Sequence, residues 1–384
     1  MDNFKRLKIG YISAKNPLNR RLWSGIPYYM FKMLEKHCGD VTYLGEVNTP
    51  LMFLGKATNG ILSLIKKRYN YGHCKLLASI YKKEIERQLH GKQFDILFTQ
   101  ATTESAFLKT DIPIVLATDA TLSGLVNYYA YYSNFLKFSV RESLQVEGAA
   151  FKNSTLLLLS SEWAAKHAVE NYNVPADKVK VLNLGANLEN IPDRRDVLSR
   201  KKNNEKCKLL FIGVEWERKG GPIAFDTLIE LRRLGVNAEL TICGVIPPKQ
   251  YKHEHMKYLP YLDKKDPNTQ NIMRELYLDA DFFLLPTRAE SYGIVFSEAS
   301  AFGLPIISTN TGGVPTVVVT GINGYLLSLE ATAKEYADTI VSLYNDRVGY
   351  EQLRISARDF FEQKLNWDVW GKNVRKHIYD TIGI

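Results

Sequence analysis

The chain has 384 residues, of which 45% are hydrophobic and 24% charged, so it can bury the cores of about two ordinary domains. No apolar run approaches the roughly 18 residues that span a bilayer, and the polar, basic start does not resemble a secretory leader. The four cysteines are scattered without C-x-x-C spacing, which is typical of buried thiols in a reducing compartment. We therefore expect a cytoplasmic protein without a disulfide framework.

The net charge of +9 is confined to the first half of the chain. Residues 1–188 hold 24 lysines and arginines against 15 acidic residues, whereas residues 189–384 hold 26 of each. A basic surface of this kind suits an anionic membrane, a nucleic acid or an anionic substrate. The plain alternative is a soluble surface that happens to be basic.

The first half alternates strand-like and helical segments. Strands are predicted at residues 7–13, 41–44, 96–99, 114–117, 155–160 and 179–182. Helical spacing is found at residues 28–36, 74–90 and 140–152, and a polar loop with Gly25 follows the first strand. Strands that alternate with helices predict parallel pairing through right-handed crossovers.

The pattern restarts after residues 187–204, which are polar and charged and are predicted to be a linker. Further strands are predicted at residues 208–212, 238–243, 282–285, 305–308 and 325–327. Further helices are predicted at residues 222–234, 269–278, 294–302 and 331–345, with a helical tail over 350–384. The fold class is therefore α/β, with two successive doubly wound halves.

Two acidic residues eight positions apart, Glu290 and Glu298, flank a predicted helix start near Gly293. Both can face the crevice at the carboxyl end of a strand, where open α/β sheets bind ligands, and the helix start offers N–H groups to an anion. One carboxylate can hold a ribose diol, and the other can stabilise positive charge on a sugar ring. The alternative is two solvated acids around a helix start.

The residues after this pair carry a family resemblance. They include Gly303-Leu304-Pro305, Thr311-Gly312-Gly313 and Gly321-Ile322-Asn323-Gly324. The ordered set resembles the retaining GT-B glycosyltransferases of the glycogen synthase and sucrose synthase-like family (glycosyltransferase family four, glycosyl transferases group 1), whose members carry E-x7-E, G-x-P, G-G and G-x-x-G in this order.

The resemblance implies the GT-B fold, in which two Rossmann-like domains face each other across a cleft and a C-terminal helix crosses back to the N-terminal domain. It places an acceptor domain at residues 1–188, together with a C-terminal helix at about 365–384, and a nucleotide-sugar donor domain at residues 189–364.

The segment Phe211–Gly221 resembles the family's donor-phosphate loop. Lys219 matches the family's lysine, whose charge suits a departing diphosphate. Many relatives place an arginine directly after the first glycine, but this chain has Val214 there, and Arg218 is the candidate for the second cation. The alternative for both cations is an exposed basic loop.

Two candidates come from the first half. Gly25 lies where the family has a small-residue loop, which lets the backbone approach the sugar. Asp119 follows a strand where many relatives have a histidine, and its alternative role is a helix N-cap. The resemblance thus implies catalytic roles for Glu290, Lys219 and Asp119. It implies donor binding by Arg218, Lys219, Glu290, Ser291, Tyr292, Gly293, Ile294, Glu298 and Gly25.

The implied activity is a retaining transfer of a sugar from a nucleoside diphosphate-sugar to a saccharide or lipid-linked acceptor, in cell-surface polysaccharide or glycolipid synthesis. Residues 261–265 are expected to pass the nucleobase. No metal and no other cofactor is expected, and Asp279-Ala280-Asp281, a metal-binding string in another glycosyltransferase class, falls at a helix-to-strand junction.

Two alternatives remain open, a GT-B-fold sugar-nucleotide epimerase and a non-catalytic sugar-nucleotide or carbohydrate-binding protein. We expect no nucleic-acid partner, because only the basic charge favours one.

Residues 51–69 are apolar, are interrupted by Gly55 and Gly60, and end in three consecutive cations. One interpretation is a patch that docks on the inner face of an anionic membrane. The other is an ordinary core helix with a basic end.

Overall fold

The computed structural model describes residues 5–47, 49–200, 205–264 and 266–384. The chain folds into two compact units. The first comprises Met1–Leu182 and Trp370–Ile384, and the second comprises Asn183–Val369.

The first unit is built on a six-stranded parallel sheet. Its strands are β1 (Leu7–Ile12), β2 (Gly39–Leu44), β3 (Ile96–Thr99), β4 (Ile114–Thr118), β5 (Leu156–Leu159) and β6 (Val179–Val181). They lie in the order β2-β1-β3-β4-β5-β6, and Ile9 pairs with Val41 on one side and Ile96 on the other. The four leucines of β5 are all buried, as expected for a parallel strand covered on both faces.

The helices of the first unit lie between these strands. They are α1 (Ile26–His37), α2 (Leu51–Leu62), α3 (Lys75–Leu89), α4 (Thr102–Ser105), α5 (Leu122–Leu125), α6 (Lys137–Asn153) and α7 (Glu162–Tyr172). Short 3₁₀ turns occur at Leu22–Gly25, Ser63–Ile65, Tyr71–His73, Ala130–Tyr132 and Ala176–Lys178.

The second unit repeats the architecture. Its strands are β7 (Cys207–Ile212), β8 (Ala238–Cys243), β9 (Met256–Leu259), β10 (Phe282–Leu285), β11 (Ile306–Thr309) and β12 (Gly324–Leu327), in the parallel order β12-β11-β10-β7-β8-β9. Its helices are α8 (Arg194–Leu198), α9 (Gly221–Arg233), α10 (Pro267–Asp279), α11 (Ile294–Ala301), α12 (Val314–Val317), α13 (Ala333–Asn345) and α14 (Arg347–Lys364). The last helix, α15 (Trp367–Ile382), ends the chain.

The predicted α/β class is confirmed, whereas some local features differ from the sequence predictions. Strand β9 was not predicted, because its residues are partly or fully exposed at the sheet edge and lack an apolar run. Helix α8 lies inside the predicted linker 187–204, where Val197 is buried and its carbonyl accepts a hydrogen bond of 2.9 Å from Arg354. Residues 201–204 of that prediction lie outside the described residues.

Helix α2 does not have the burial expected of a core helix. Gly55 is its buried residue, and a Cβ there would lie 2.2 Å from the Tyr71 ring. The opposite side carries exposed Phe53, Leu54 and Ile61. The structure therefore contradicts the core-helix interpretation. Within the described ranges, no helix combines the length and apolar character needed to cross a bilayer.

Candidate functional site

In the second sheet, the order in which the chain adds strands changes direction between β7 and β10. Strands β8 and β9 follow β7 on one side, and β10 to β12 continue from its other side. Phe282 pairs with Leu209, so β7 and β10 are direct neighbours. The loops that follow them therefore meet at a topological switch point, where doubly wound sheets form their ligand crevice.

Glycines allow these two loops to pack closely. Gly220 has φ +75°, and a Cβ there would lie 1.9 Å from the carbonyl oxygen of Pro286, which follows β10. A Cβ on Gly213 would lie 2.9 Å from Cγ of Lys219. Glycine at both positions allows the two loops to approach and the Lys219 side chain to pass over the end of β7.

Lys219 and Glu290 form a buried ion pair across these loops. The Lys219 Nζ donates to Glu290 Oε2, and the residues are 8% and 7% exposed. Arg218 Nη1 lies 3.6 Å from the same oxygen and donates to the Ala289 carbonyl at 2.9 Å. The Arg218 Nε donates to the exposed Glu215. Two cations thus converge on one buried carboxylate, an arrangement suited to an additional anionic ligand.

The loop with Glu290 leads into α11, which begins after Gly293 as predicted. Gly293 has φ +87°, and a Cβ there would lie 2.5 Å from the Phe296 ring, so this helix start requires glycine. The backbone carbonyl of Glu290 accepts a hydrogen bond of 2.9 Å from Gly313 N–H, which joins the glycine turn to the loop. The first-turn amides, including that of Ile294, lack intrahelical partners by geometry.

The Tyr292 side chain points into the core. Its hydroxyl and that of Ser297 each lie 3.0 Å from the Leu184 carbonyl, to which they donate. Burial raises the pKa of Tyr292 far above its ordinary value. The Tyr292 side chain is therefore not a candidate for a direct ligand contact, and the proposed contact of this residue is through its backbone.

Glu298 lies inside α11 and is fully buried. Its Oε1 accepts from Lys264 Nζ, and its Oε2 accepts from the Tyr277 hydroxyl at 2.9 Å. Burial, and then the neighbouring Glu298, raise the pKa of Tyr277 well above its ordinary value. Reasoning from sequence missed both partners, because neither has a diagnostic spacing to Glu298. Lys264 belongs to the segment expected to pass the nucleobase, and Lys265 of that segment lies outside the described residues.

Gly25 and Asp119 lie in the first unit, after β1 and β4. Gly25 has φ +92° and follows Trp23 and Ser24, which also have positive φ. Asp119 does not cap α5, because the Thr121 side chain accepts from Gly124 N–H instead. The N-cap alternative for Asp119 is therefore wrong, and the half-buried Asp119 stays a candidate for the site.

The Asp279-Ala280-Asp281 string has structural contacts. Asp281 Oδ2 accepts the Lys208 N–H at 2.8 Å, and Asp279 Oδ1 pairs with Lys208 Nζ at 2.7 Å. Among the described residues, no group of three or more potential metal ligands is brought together. The two aspartates therefore tie β7 to the start of β10.

Comparison with known proteins agrees with this geometry. Residues 206–346 match the family Glycosyl transferases group 1, and this range includes Lys219, Glu290 and Glu298. The chain is 25% identical over 253 residues to a D-inositol 3-phosphate glycosyltransferase of Corynebacterium efficiens, covering 61% of this chain and 58% of that relative. The chain thus spans under two thirds of the length of this curated relative.

Solved structures share the fold at low sequence identity. One is WaaG, a glycosyltransferase involved in lipopolysaccharide biosynthesis, with a TM-score of 0.61, 15% identity and coverage of 98% of this chain and 99% of WaaG. Another is Anabaena HepE in complex with UDP-glucose, with a TM-score of 0.62, 14% identity and coverage of 98% of this chain and 100% of HepE. Residues 206–346 therefore form a domain of the Glycosyl transferases group 1 family, and the chain that carries it has the GT-B fold.

Proposed function

We propose that this protein is a retaining glycosyltransferase that moves a sugar from a nucleoside diphosphate-sugar to a saccharide or lipid-linked acceptor in cell-surface polysaccharide or glycolipid synthesis. The observation that carries the proposal is the buried Lys219–Glu290 pair at the β7/β10 switch point, with Arg218 at 3.6 Å from the same carboxylate. The HepE complex with UDP-glucose supports a uridine donor as the first candidate, and WaaG supports the cell-surface product.

The second unit has the groups that a nucleoside diphosphate requires. An ammonium has three donors, so the bond from Lys219 to Glu290 leaves two for phosphate oxygens. The amides around Tyr292–Ile294 supply further donors at the start of α11. Glu298 accepts from the ribose hydroxyls, and Glu290 faces the sugar.

Transfer breaks the bond between the sugar C1 and the diphosphate oxygen, and forms a bond from the acceptor oxygen to C1. The products are the glycosylated acceptor, the nucleoside diphosphate and the proton of the acceptor hydroxyl. Lys219 and the α11 amides stabilise the charge that develops on the departing diphosphate. Gly25 and Asp119 of the first unit stay proposed site residues, Gly25 for donor binding and Asp119 for catalysis.

The proposal is tested first by nucleotide binding. UDP at about 100 times its Kd should stabilise the protein by about 2.7 kcal/mol, and the thermal midpoint should rise by a few degrees. The increase should be unchanged by EDTA, because cationic side chains and amides hold the diphosphate. A screen of nucleoside diphosphates by thermal shift makes the measurement and identifies the base.

Product analysis then separates the alternatives. A transferase forms a new glycoside only when an acceptor is added, whereas an epimerase converts the sugar nucleotide alone. A protein that binds the nucleotide but turns over no acceptor would be a binding protein. If no nucleoside diphosphate raises the thermal midpoint, the donor site is wrongly assigned.

We also propose that the first unit attaches peripherally to the anionic inner face of a membrane. The docking surface is defined as α2 with the following turn, where Phe53, Leu54, Ile61, Leu64 and Ile65 are 58–85% exposed. Lys56, Lys66 and Lys67 are exposed on the same segment. Apolar side chains flanked by cations match the interfacial zone of an anionic bilayer, and the charge favours this occupant over a neutral surface.

Vesicle binding tests this surface. The double variant Ile61→Ser with Leu64→Ser should lower the affinity for phosphatidylglycerol vesicles at least about tenfold, because two large apolar side chains no longer insert. Flotation assays with wild type and variant make the measurement. Val348→Ser, at a residue that is 70% exposed in the second unit, is the matched control and should bind like wild type. Equal binding by the double variant, or equal binding to phosphatidylcholine vesicles, would contradict the proposal.

A further inference from the structure

The first sheet has a switch point of its own, between β1 and β3. Strand β2 lies on one side of β1, and β3 to β6 continue from its other side. Ser13 follows β1 and Gln100 follows β3, so both lie at the carboxyl ends of these neighbouring strands. This position is where a doubly wound sheet forms a crevice for a ligand.

Gln100 is buried at this position, with 5% of its surface exposed. Its Nε2 donates to Ser13 Oγ at 2.8 Å, and the Ser13 hydroxyl donates onward to the Lys15 carbonyl at 2.7 Å. The Gln100 Oε1 is buried and has no hydrogen-bond partner among the described residues. A buried acceptor without a donor is unfavourable. A hydrogen bond from a ligand to this oxygen would therefore be favourable.

Glu104 brings a second polar group to the same turn. It lies on α4, is 8% exposed, and its Oε1 accepts the Ala14 N–H at 3.2 Å. Burial raises the pKa of this carboxyl, against the opposing effects of the Ala14 hydrogen bond and the Lys15 charge. Gln100 and Glu104 thus contact the consecutive residues Ser13 and Ala14.

The Gln100 oxygen favours an uncharged ligand that carries hydroxyl groups. The free Gln100 Oε1 requires an O–H or N–H donor. An ionised phosphate or carboxylate oxygen would meet an acceptor at Gln100 Oε1 instead of a donor. A ring hydroxyl can donate to Gln100 Oε1 and keeps its own lone pairs for a second hydrogen bond.

We propose that Gln100, supported by Glu104, binds a ring hydroxyl of the acceptor saccharide, and that Gln100 is a specificity-determining residue for the acceptor. The proposal rests on the proposed function for its biological meaning, but the binding site belongs to the first unit alone. It therefore requires no donor in order to be measured.

Direct binding of simple saccharides to the full chain tests this proposal. The probes are D-glucose and myo-inositol, observed by saturation-transfer difference NMR without nucleotide. Wild type should bind at least one of them, and Gln100→Met should weaken that binding about tenfold, because the ligand hydroxyl loses its acceptor. Gln145→Met, at an exposed position on α6, is the matched control and should bind like wild type.

A second variant guards against a folding defect. Gln100→Asn keeps an amide in place but withdraws it by one methylene, and it should also weaken binding while the thermal midpoint stays near that of wild type. Absence of probe binding by wild type, or wild-type affinity in folded Gln100 variants, would overturn the proposal. UDP calorimetry on the same samples separates the two proposals, since a failed donor site would abolish nucleotide binding and leave saccharide binding intact.

Discussion

Lys219→Met should lower kcat by a factor of about 10²–10³, the loss expected when one preorganised group that stabilises developing charge is removed. The Lys219 side chain packs closely against Gly213, since a Cβ added to that glycine would lie 2.9 Å from Lys219 Cγ. Methionine retains this aliphatic packing, so the loss of the charge is the main change. The diphosphate then departs without its ammonium partner. Steady-state kinetics with UDP-glucose, or with the donor that the thermal-shift screen identifies, make the measurement.

The control for this variant is Lys334→Met, on α13, whose side chain is 61% exposed and pairs with Asp338. It should retain wild-type kinetics. Because Lys219→Met removes a cationic partner of the buried Glu290 carboxylate, its thermal midpoint is recorded as well. A folded Lys219→Met protein with kcat within twofold of wild type would refute the role given to this lysine.

Glu298→Gln should weaken UDP binding about 10- to 100-fold, since hydrogen bonds to a charged acceptor contribute about 1.5–3 kcal/mol. Glutamine has nearly the same volume and can still accept from the Tyr277 hydroxyl, which lies 2.9 Å from Glu298 Oε2. The variant also loses the charge that pairs with Lys264, so the ribose contact has to be measured separately. Calorimetry with UDP and with 2′-deoxy-UDP makes this distinction: wild type should prefer UDP strongly, and Glu298→Gln should bind the two ligands almost equally.

Glu330→Gln is the matched control, because Glu330 is an exposed acid of the same unit. It should retain both the UDP affinity and the preference for the 2′-hydroxyl. If Glu298→Gln kept the wild-type preference for UDP over 2′-deoxy-UDP, the carboxylate would not contact the ribose. The Lys264–Glu298 pair, in which the glutamate is buried and the lysine is partly exposed, would then be a structural feature of α11.

Local structure around the candidate site could be predicted from sequence. The apolar run of β10 and the glycine before α11 were expected at residues 282–285 and near Gly293, and the structure has both there. The reason is that these signals act over a few residues: burial on both faces of a parallel strand, and a positive φ at the helix start that glycine adopts readily.

The partners of the two glutamates could not be predicted in the same way. Lys219 is 71 positions from Glu290, and Lys264 is 34 positions from Glu298. Tyr277 was expected on a helix, yet nothing in its helical spacing indicates that its hydroxyl meets a buried carboxylate. These contacts depend on strand order, because β7 and β10 are neighbours only when the sheet reverses its growth at β7.

Helix α2 gives a second example. Its composition fits a core helix and a membrane-docking helix equally well, and the hydrophobicity of single residues does not separate the two. Packing decides which face of α2 is exposed. Gly55 lies against the Tyr71 ring, and Phe53, Leu54 and Ile61 are exposed to solvent. The proposed docking surface rests on this orientation, because only the structure shows that the apolar side chains and the cations beside them are exposed together.

The sequence by itself determined the alternation of strands and helices, the glycine-dependent helix start and the spacing of Glu290 and Glu298, since each arises from short-range periodicity and backbone preference. Only the tertiary structure decided which cation meets which carboxylate, which face of α2 is exposed, and that Gln100 lies beside Ser13 with an oxygen that has no partner among the described residues. Those outcomes depend on contacts between residues distant in the chain, and such contacts follow from sheet topology and packing rather than from any local pattern.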